Sequence, residues 1–169
     1  MSGFGTERLE AEPLDLAAHE NELAALHADL RVMATMGGET ADATGSRAWI
    51  ERNLRHGRED GLGIFVFRER ATGGFVGRGA LRRIEIGGAT EVEVGYALAF
   101  EAWGQGYATE MAKALAAHAE SHGRGPVIAY TEPTNAASRR VLEKAGFRYE
   151  RDVVHHGRDQ VLYRRTPAP

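Results

Sequence analysis

The sequence predicts a single α/β domain with about seven strands, and three observations carry that reading. Helical apolar spacing alternates along the chain with strand-like alternation and short apolar runs, in the order βααβββαβαββ. Glycine pairs at 73–74 and 87–88 punctuate the central strand patterns as hairpin turns do. Gly104 and Gly106 sit directly after a strand pattern and just ahead of a long alanine-rich helical one. At 169 residues the chain has the size of one domain, so residues 1–169 are read as one unit around one core.

The elements follow in order. Thr6 to Pro13 alternates as a short strand, and Leu16, Leu23, Leu26 and Leu30 mark a helix over Leu16 to Leu30. Thr35 to Gly45 is a polar break. Ser46 then reads as the cap of a helix carrying Trp49, Ile50 and Leu54, ending near Gly57 and Gly61. Strands are expected over Leu62 to Glu69, Phe75 to Ile86 and Thr90 to Ala99, joined at Thr72-Gly73-Gly74 and Gly87-Gly88. Met111 and Leu115 among alanines 108, 112, 116 and 119 give a helix with a thin apolar face, suited to close packing on a sheet. Pro126 to Thr131 reads as a buried strand and Asn135 to Ala145 as a helix stopped at Gly146. Two last strands flank His156-Gly157-Arg158-Asp159, with Thr166 to Pro169 frayed.

Composition narrows the function. The apolar fraction of 43% and charged fraction of 27% are those of a globular protein, and no apolar run approaches the roughly eighteen residues of a membrane span. The opening MSGFGTERLEAEPLDL does not read as a signal peptide, so a cytoplasmic location is expected, with no membrane partner. No cysteine is present, which removes disulfides, thiolate metal sites and a cysteine nucleophile together. With a net charge of −3 and no continuous basic face, DNA binding is disfavoured. Nothing marks the oligomeric state, and a homodimer is among the compatible states.

The segment Trp103 to Glu110, WGQGYATE, has the makings of a phosphate site. Its glycines let the backbone take positive φ or approach a ligand closely, and the free amides of the following helical turn carry the positive end of the helix dipole. Lys113 and Lys144 are the only lysines and no Walker pattern exists, so a lysine clamp is not expected. A Rossmann fingerprint is the rival. It wants a small residue where Thr109 stands and an acidic residue about twenty positions on, where only Glu132 lies near, followed by Pro133.

The runs EVGYALAFEAWGQGYATE, Asn135-Ala136-Ala137-Ser138 and Leu142-Glu143-Lys144-Ala145-Gly146-Phe147 together resemble the GNAT superfamily of acetyl-CoA-dependent N-acetyltransferases, and within it the RimJ/RimL ribosomal-protein type. The likeness extends over nearly the whole chain. It implies a mixed, strongly twisted sheet with helices on both faces, acetyl-CoA as cosubstrate and no metal. It implies a pyrophosphate loop at Gly104, Gln105, Gly106, Tyr107, Ala108 and Thr109, with Trp103 departing from the usual first position. It also implies a pantetheine arm paired with the strand backbone at Tyr96, Ala97 and Leu98 and hydrogen-bonded by Asn135.

Acetyl transfer to nitrogen needs a neutral amine and a proton for the departing thiolate. A lysine amine with pKa near 10.4 is deprotonated at pH 7 at a cost of about 4.6 kcal/mol, an N-terminal amine near 7.8 at about 1 kcal/mol. Glu91 and Glu93 share one strand face, opposite Val92, Val94, Tyr96 and Leu98. Glu93 is the candidate base, its alternative being an ordinary solvated residue, while Glu91 reads as surface. The tyrosine acid that the resemblance implies seven positions after Asn135 is replaced by Leu142. Ser138 is the substitute, contacting the CoA sulfur by resemblance or merely bonding back to its helix. His118 and His122 have a metal-compatible spacing without HExxH and read as solvated, as do Arg82-Arg83, Arg139-Arg140 and Arg164-Arg165. His155 and His156 lie where the family lines its acceptor entrance, and Glu91, Glu93 and Glu132 are expected to make that mouth acidic. The acceptor expected is a protein or peptide α-amine. The alternatives are a small amine (polyamine, aminoglycoside or amino acid) and a non-catalytic acyl-CoA-binding regulator.

Overall fold

The computed structural model describes residues 2–56 and 62–167. Eight strands form one sheet: β1 (Phe4–Gly5), β2 (Leu9–Pro13), β3 (Gly63–Glu69), β4 (Phe75–Ile86), β5 (Ala89–Leu98), β6 (Val127–Thr131), β7 (Arg148–His155) and β8 (Arg158–Arg165). Their spatial order is β1-β2-β3-β4-β5-β6-β8-β7. Every neighbouring pair is antiparallel except β5–β6. Among the described residues five α-helices complete the domain, α1 (Leu16–Ala28), α2 (Leu30–Met33), α3 (Ala43–His56), α4 (Tyr107–Ser121) and α5 (Ala136–Lys144), with a 3-10 turn at Phe100–Ala102.

The expected mixed sheet is present, with one strand more than the sequence pattern suggested. Residues Thr6 to Pro13 are not one strand. Leu9–Pro13 pairs with β3, and Phe4–Gly5 folds back on Ala11 and Glu10, placing the Phe4 ring 4.9 Å from that of Phe65. The helix expected over Leu16 to Leu30 stops at Ala28. Asp29 is extended, with φ −78° and ψ 108°, and its carboxylate accepts from Arg31 N to start α2, leaving Leu30 exposed. Ser46 is not a cap either. The helix begins three residues earlier, where Asp42 Oδ1 accepts from Gly45 N at 2.8 Å, and Ser46 is wholly buried against α1. The expected end of this helix at Gly57 and Gly61 lies outside the described residues.

Helices cover both sheet faces. On one, Met111, Ala112, Leu115 and Ala116 of α4 and Leu142 of α5 pack with Phe67, Leu81, Val94 and Tyr163. The thin apolar face of α4 lets it approach closely, and Gly79 of β4 is where it does. A Cβ there would stand 2.7 Å from Leu115 Cδ1 and 2.8 Å from Phe67 Cε2. On the other face, Leu23 and Leu26 of α1 and Ile50 of α3 cover Ile64, Val66, Ala80 and Ala97. The two-residue turn His156–Gly157, with φ 50° and 71°, closes the terminal hairpin.

Candidate active site

The feature that positions the site is a parting in the sheet. β5 and β6 are partnered only at Glu93 and Ile128, although β5 continues to Leu98 and β6 to Thr131. Beyond that point the β5 edge from Gly95 onward has no strand against it, and a cavity of about 930 Å³ opens there. Tyr96, Ala97 and Leu98 line one wall, Ala129, Tyr130 and Thr131 the other. Such a volume suits a cosubstrate together with a small acceptor.

One end of the cavity is the glycine loop. Gly104 and Gly106 have φ 74° and 81°, the left-handed region, which is one of the two freedoms the sequence reading gave them. Gly106 is the N-cap of α4, and the first bonded amide of the helix is Glu110 N, to Gly106 O at 3.2 Å. The preceding amides of Tyr107, Ala108 and Thr109 are therefore open, and all three residues line the cavity with Gly104 and Gly106. Gln105 does not line it, because its side-chain amide donates to Glu101 O at 2.8 Å. Arg8 braces the loop from β2's approach, donating to Gln105 O at 3.0 Å and Glu110 at 2.7 Å, with its guanidinium 4.5 Å from the Tyr107 ring centre. Trp103 donates to Leu98 O at 3.0 Å, tying the loop to the end of β5.

Asn135 caps α5, its Oδ1 accepting from Ser138 N at 3.0 Å. That cap aims Ser138 Oγ across the gap at Tyr96 Oη, 3.0 Å away, so the serine does not merely bond back to its own helix. Burial pushes the Tyr96 phenol up to about 12 against the opposing pull of the Ser138 hydrogen bond. Sequence reasoning used only the Tyr96 backbone. The phenol was missed because its partner is 42 positions away and no local pattern links them.

Glu93 is buried rather than solvated. Its Oε2 accepts from Arg82 Nε at 2.8 Å, and its Oε1 lies 3.4 Å from where a Gly95 Cβ would be, next to Tyr96. Arg82 is exposed, as expected, but is paired with this carboxylate. Tyr130 faces the same carboxylate, and burial followed by the Glu93 charge raises its phenol to about 12.

The acidic mouth expected from Glu91, Glu93 and Glu132 does not form. Glu91 is bound by Arg164 Nη2 at 2.7 Å, Glu93 by Arg82, and Glu132 by Arg158 at 3.2 Å, so each carboxylate carries its own counter-charge. Glu91 is thus a structural ion-pair partner, not plain surface. Arg140 and Lys144 of α5 line the cavity as well, cations that the sequence reading treated as bystanders. His155 and His156 also line it, with His155 lowered by burial and then by His156. His118 is instead buried under β1, stacked 4.4 Å from Phe4. Its ring is 4.4 Å from that of His122, and among the described residues no group of three metal-ligating side chains converges.

A loop of open amides leading a helix, beside a parted pair of parallel strands, is matched in sequence as well as in shape. A model of the acetyltransferase (GNAT) domain matches residues 8–148. The chain belongs to the GNAT acetyltransferase family. It is 30% identical over 125 residues, 73% of each chain, to the uncharacterized protein YkkB of Bacillus subtilis (strain 168). Its fold is similar to that of an acetyltransferase from Agrobacterium tumefaciens str. C58, at TM-score 0.81 and 25% identity over 99% of this chain and 95% of that one. It is similar in fold also to a ribosomal-protein-S5-alanine acetyltransferase from Vibrio fischeri, at TM-score 0.77 and 16% identity over 97% and 96%. This GNAT protein is therefore an acetyltransferase, of a family whose domains use acetyl-CoA as cosubstrate. No helix among the described residues is long and apolar enough to cross a membrane.

Proposed function

We propose that residues 1–169 act as one catalytic domain that moves the acetyl group of acetyl-CoA to an α-amine by direct attack. The observation that carries this reading is the placement of two proton-handling groups on opposite sides of one gap. Glu93 lies on the sheet face under α1 and α3, and the Tyr96–Ser138 hydroxyl pair lies on the face under α4 and α5.

The open amides of Tyr107 to Thr109 fit a pyrophosphate, and the unpaired β5 edge at Tyr96 to Leu98 fits an extended amide-bearing arm. Asn135 lines the cavity at the start of α5, within reach of such an arm. The bound cosubstrate supplies a thioester, activated toward an amine nucleophile. Glu93 Oε1 takes the proton from the attacking amine, directly or through one water, as the nitrogen–carbon bond forms. Tyr96 and Ser138 return a proton to the sulfur as the carbon–sulfur bond breaks. A phenol held up to about 12 stays protonated across the working range and remains available as that donor. With no cysteine in the chain, no thioester to the protein precedes this step.

The resemblance to the RimJ/RimL type supports an α-amine acceptor, whose deprotonation costs about 1 kcal/mol against about 4.6 for lysine. The arginine-paired glutamates remove the attraction that would have favoured a polyamine. The test is turnover against CoA affinity in Glu93→Gln, Ser138→Ala and Tyr96→Phe. Each should lose about a hundredfold in kcat with calorimetric CoA affinity preserved. Wild-type turnover in all three across pH 6 to 9 refutes the assignment.

A further inference from the structure

Arg78 is a buried charged group of the cavity that the acetyl-transfer reading leaves unused. It lies on β4, on the same sheet face as Ala80 and Arg82, opposite Ala97 of β5. It is 6% exposed and lines the cavity, and among the described residues no carboxylate forms an ion pair with it, the Glu93 charge reaching it only at longer range. Arg82 and Arg158, the other arginines on this side, are paired with Glu93 and Glu132. Arg78 Nε donates to His27 Nε2 at 3.3 Å, and its guanidinium carbon stands 4.5 Å from the centre of the Trp49 ring. His27 in turn reaches Ser46 Oγ through Nδ1 at 2.8 Å. Accepting at Nε2 places the imidazole proton on Nδ1, so His27 is a neutral acceptor that fixes the fork without neutralising it.

A buried guanidinium with its Nε held and a ring face beside it presents its two terminal nitrogens as a preorganised fork, the geometry that matches a carboxylate. Burying such a charge with no partner is costly, and an incoming anion offsets that cost. Ala80 and Gly95, paired across β4 and β5, are the small residues between the Arg78 and Glu93 positions on this face, and Glu93 Oε1 lies 3.4 Å from where a Gly95 Cβ would stand.

We propose that Arg78 anchors a carboxylate of the acceptor, so that the preferred substrate is an amine carrying a carboxylate a few bonds from the nitrogen. The inference rests on the acetyl-transfer reading and deepens it by naming the acceptor's chemical class. Two sources present this chemistry: a free amino acid, and a peptide whose first residue is Asp or Glu. His27 acts as a positioning residue through Arg78.

The experiment uses matched pairs on the wild-type chain. Free amino acids are compared with their carboxamides, and Asp- or Glu-initiated dipeptide amides with the Asn or Gln equivalents; spermidine is the cationic control. Thiol release reports kcat/KM, and calorimetry with CoA present reports binding of each pair without any turnover. The carboxylate member of the productive pair should be preferred by about thirtyfold or more, chiefly in KM. Arg78→Met should abolish the gap, and Arg78→Lys should retain part of it. Equal use and equal binding of both members by the wild type overturns the inference while leaving acetyl transfer intact. A preference that survives Arg78→Met overturns it too. Carboxylate-selective binding without turnover of any amine supports the anchor and refutes the acetyl-transfer reading instead.

Discussion

Replacing His27 with glutamine should flatten the acid limb of the stability curve. Burial, followed by the charge of Arg78, holds this imidazole down to about 4 from an ordinary 6.5. Above pH 6.5 the ring is neutral in both folded and unfolded chains and contributes no pH dependence. Between 6.5 and 4 the unfolded chain binds a proton that the folded one refuses, so stability falls as the pH falls; below 4 both bind it and the loss levels off. At 1.36 kcal/mol per unit the whole span amounts to about 3 kcal/mol, of which about 2 kcal/mol is lost by pH 5. The groups facing the ring are Arg78 from β4 and Ser46 and Trp49 from α3, none of which titrates in this window. His155, also lowered, acts in the same direction, and Glu12, Glu110 and Glu150, held below their usual values, act at lower pH. The wild-type-minus-variant difference isolates His27 from these. Urea unfolding followed by circular dichroism at pH 7.5 and 5.0 should show the variant gaining about 2 kcal/mol on the wild type over that interval. Parallel losses, equal within about 0.5 kcal/mol, would show that His27 is protonated in the folded chain and that its tautomer assignment is wrong.

Two further perturbations address the loop and the core. Gly106→Val forces a β-branched residue to φ near 81°, a strain of about 1–3 kcal/mol at the α4 N-cap, and calorimetry should find CoA binding lost in a chain that still unfolds cooperatively. Unchanged affinity would remove the loop from the pyrophosphate site. Phe147→Ala empties a wholly enclosed position between α5 and the sheet and should cost about 3–5 kcal/mol in urea unfolding, with a smaller loss arguing that α5 relaxes into the space.

Local chemistry explains what the sequence disclosed. The glycine loop and the thin face of α4 are each specified by residues within a few positions of one another, and the structure places them as that spacing implies. The errors arose where a competing local cap or a distant partner decides. Asp29 is a helical-looking residue within a leucine pattern, but it caps α2 and ends α1. Ser46 has the composition of a cap but is claimed by His27, 19 residues earlier. The Tyr96 phenol and the Ser138 hydroxyl meet only because α5 packs across the strand gap, a juxtaposition of tertiary origin.

Charge shows the same limit in its sharpest form. A strand reading places Arg78 and Arg82 on one face with equal standing, since both are arginines four positions apart. The sheet register separates them. Arg82 is paired across β4 and β5 with Glu93, whereas Arg78 meets Ala97, so one guanidinium acquires a carboxylate and the other does not. What lies over Arg78 is a ring face and a neutral imidazole, which orient a cation without cancelling its charge. A polyamine entering this cavity would bring like charge to an unneutralised guanidinium, while an amine bearing its own carboxylate would supply the missing counter-charge and present its nitrogen toward Glu93. The selectivity argued for this chain therefore comes from a register of strands, not from any motif.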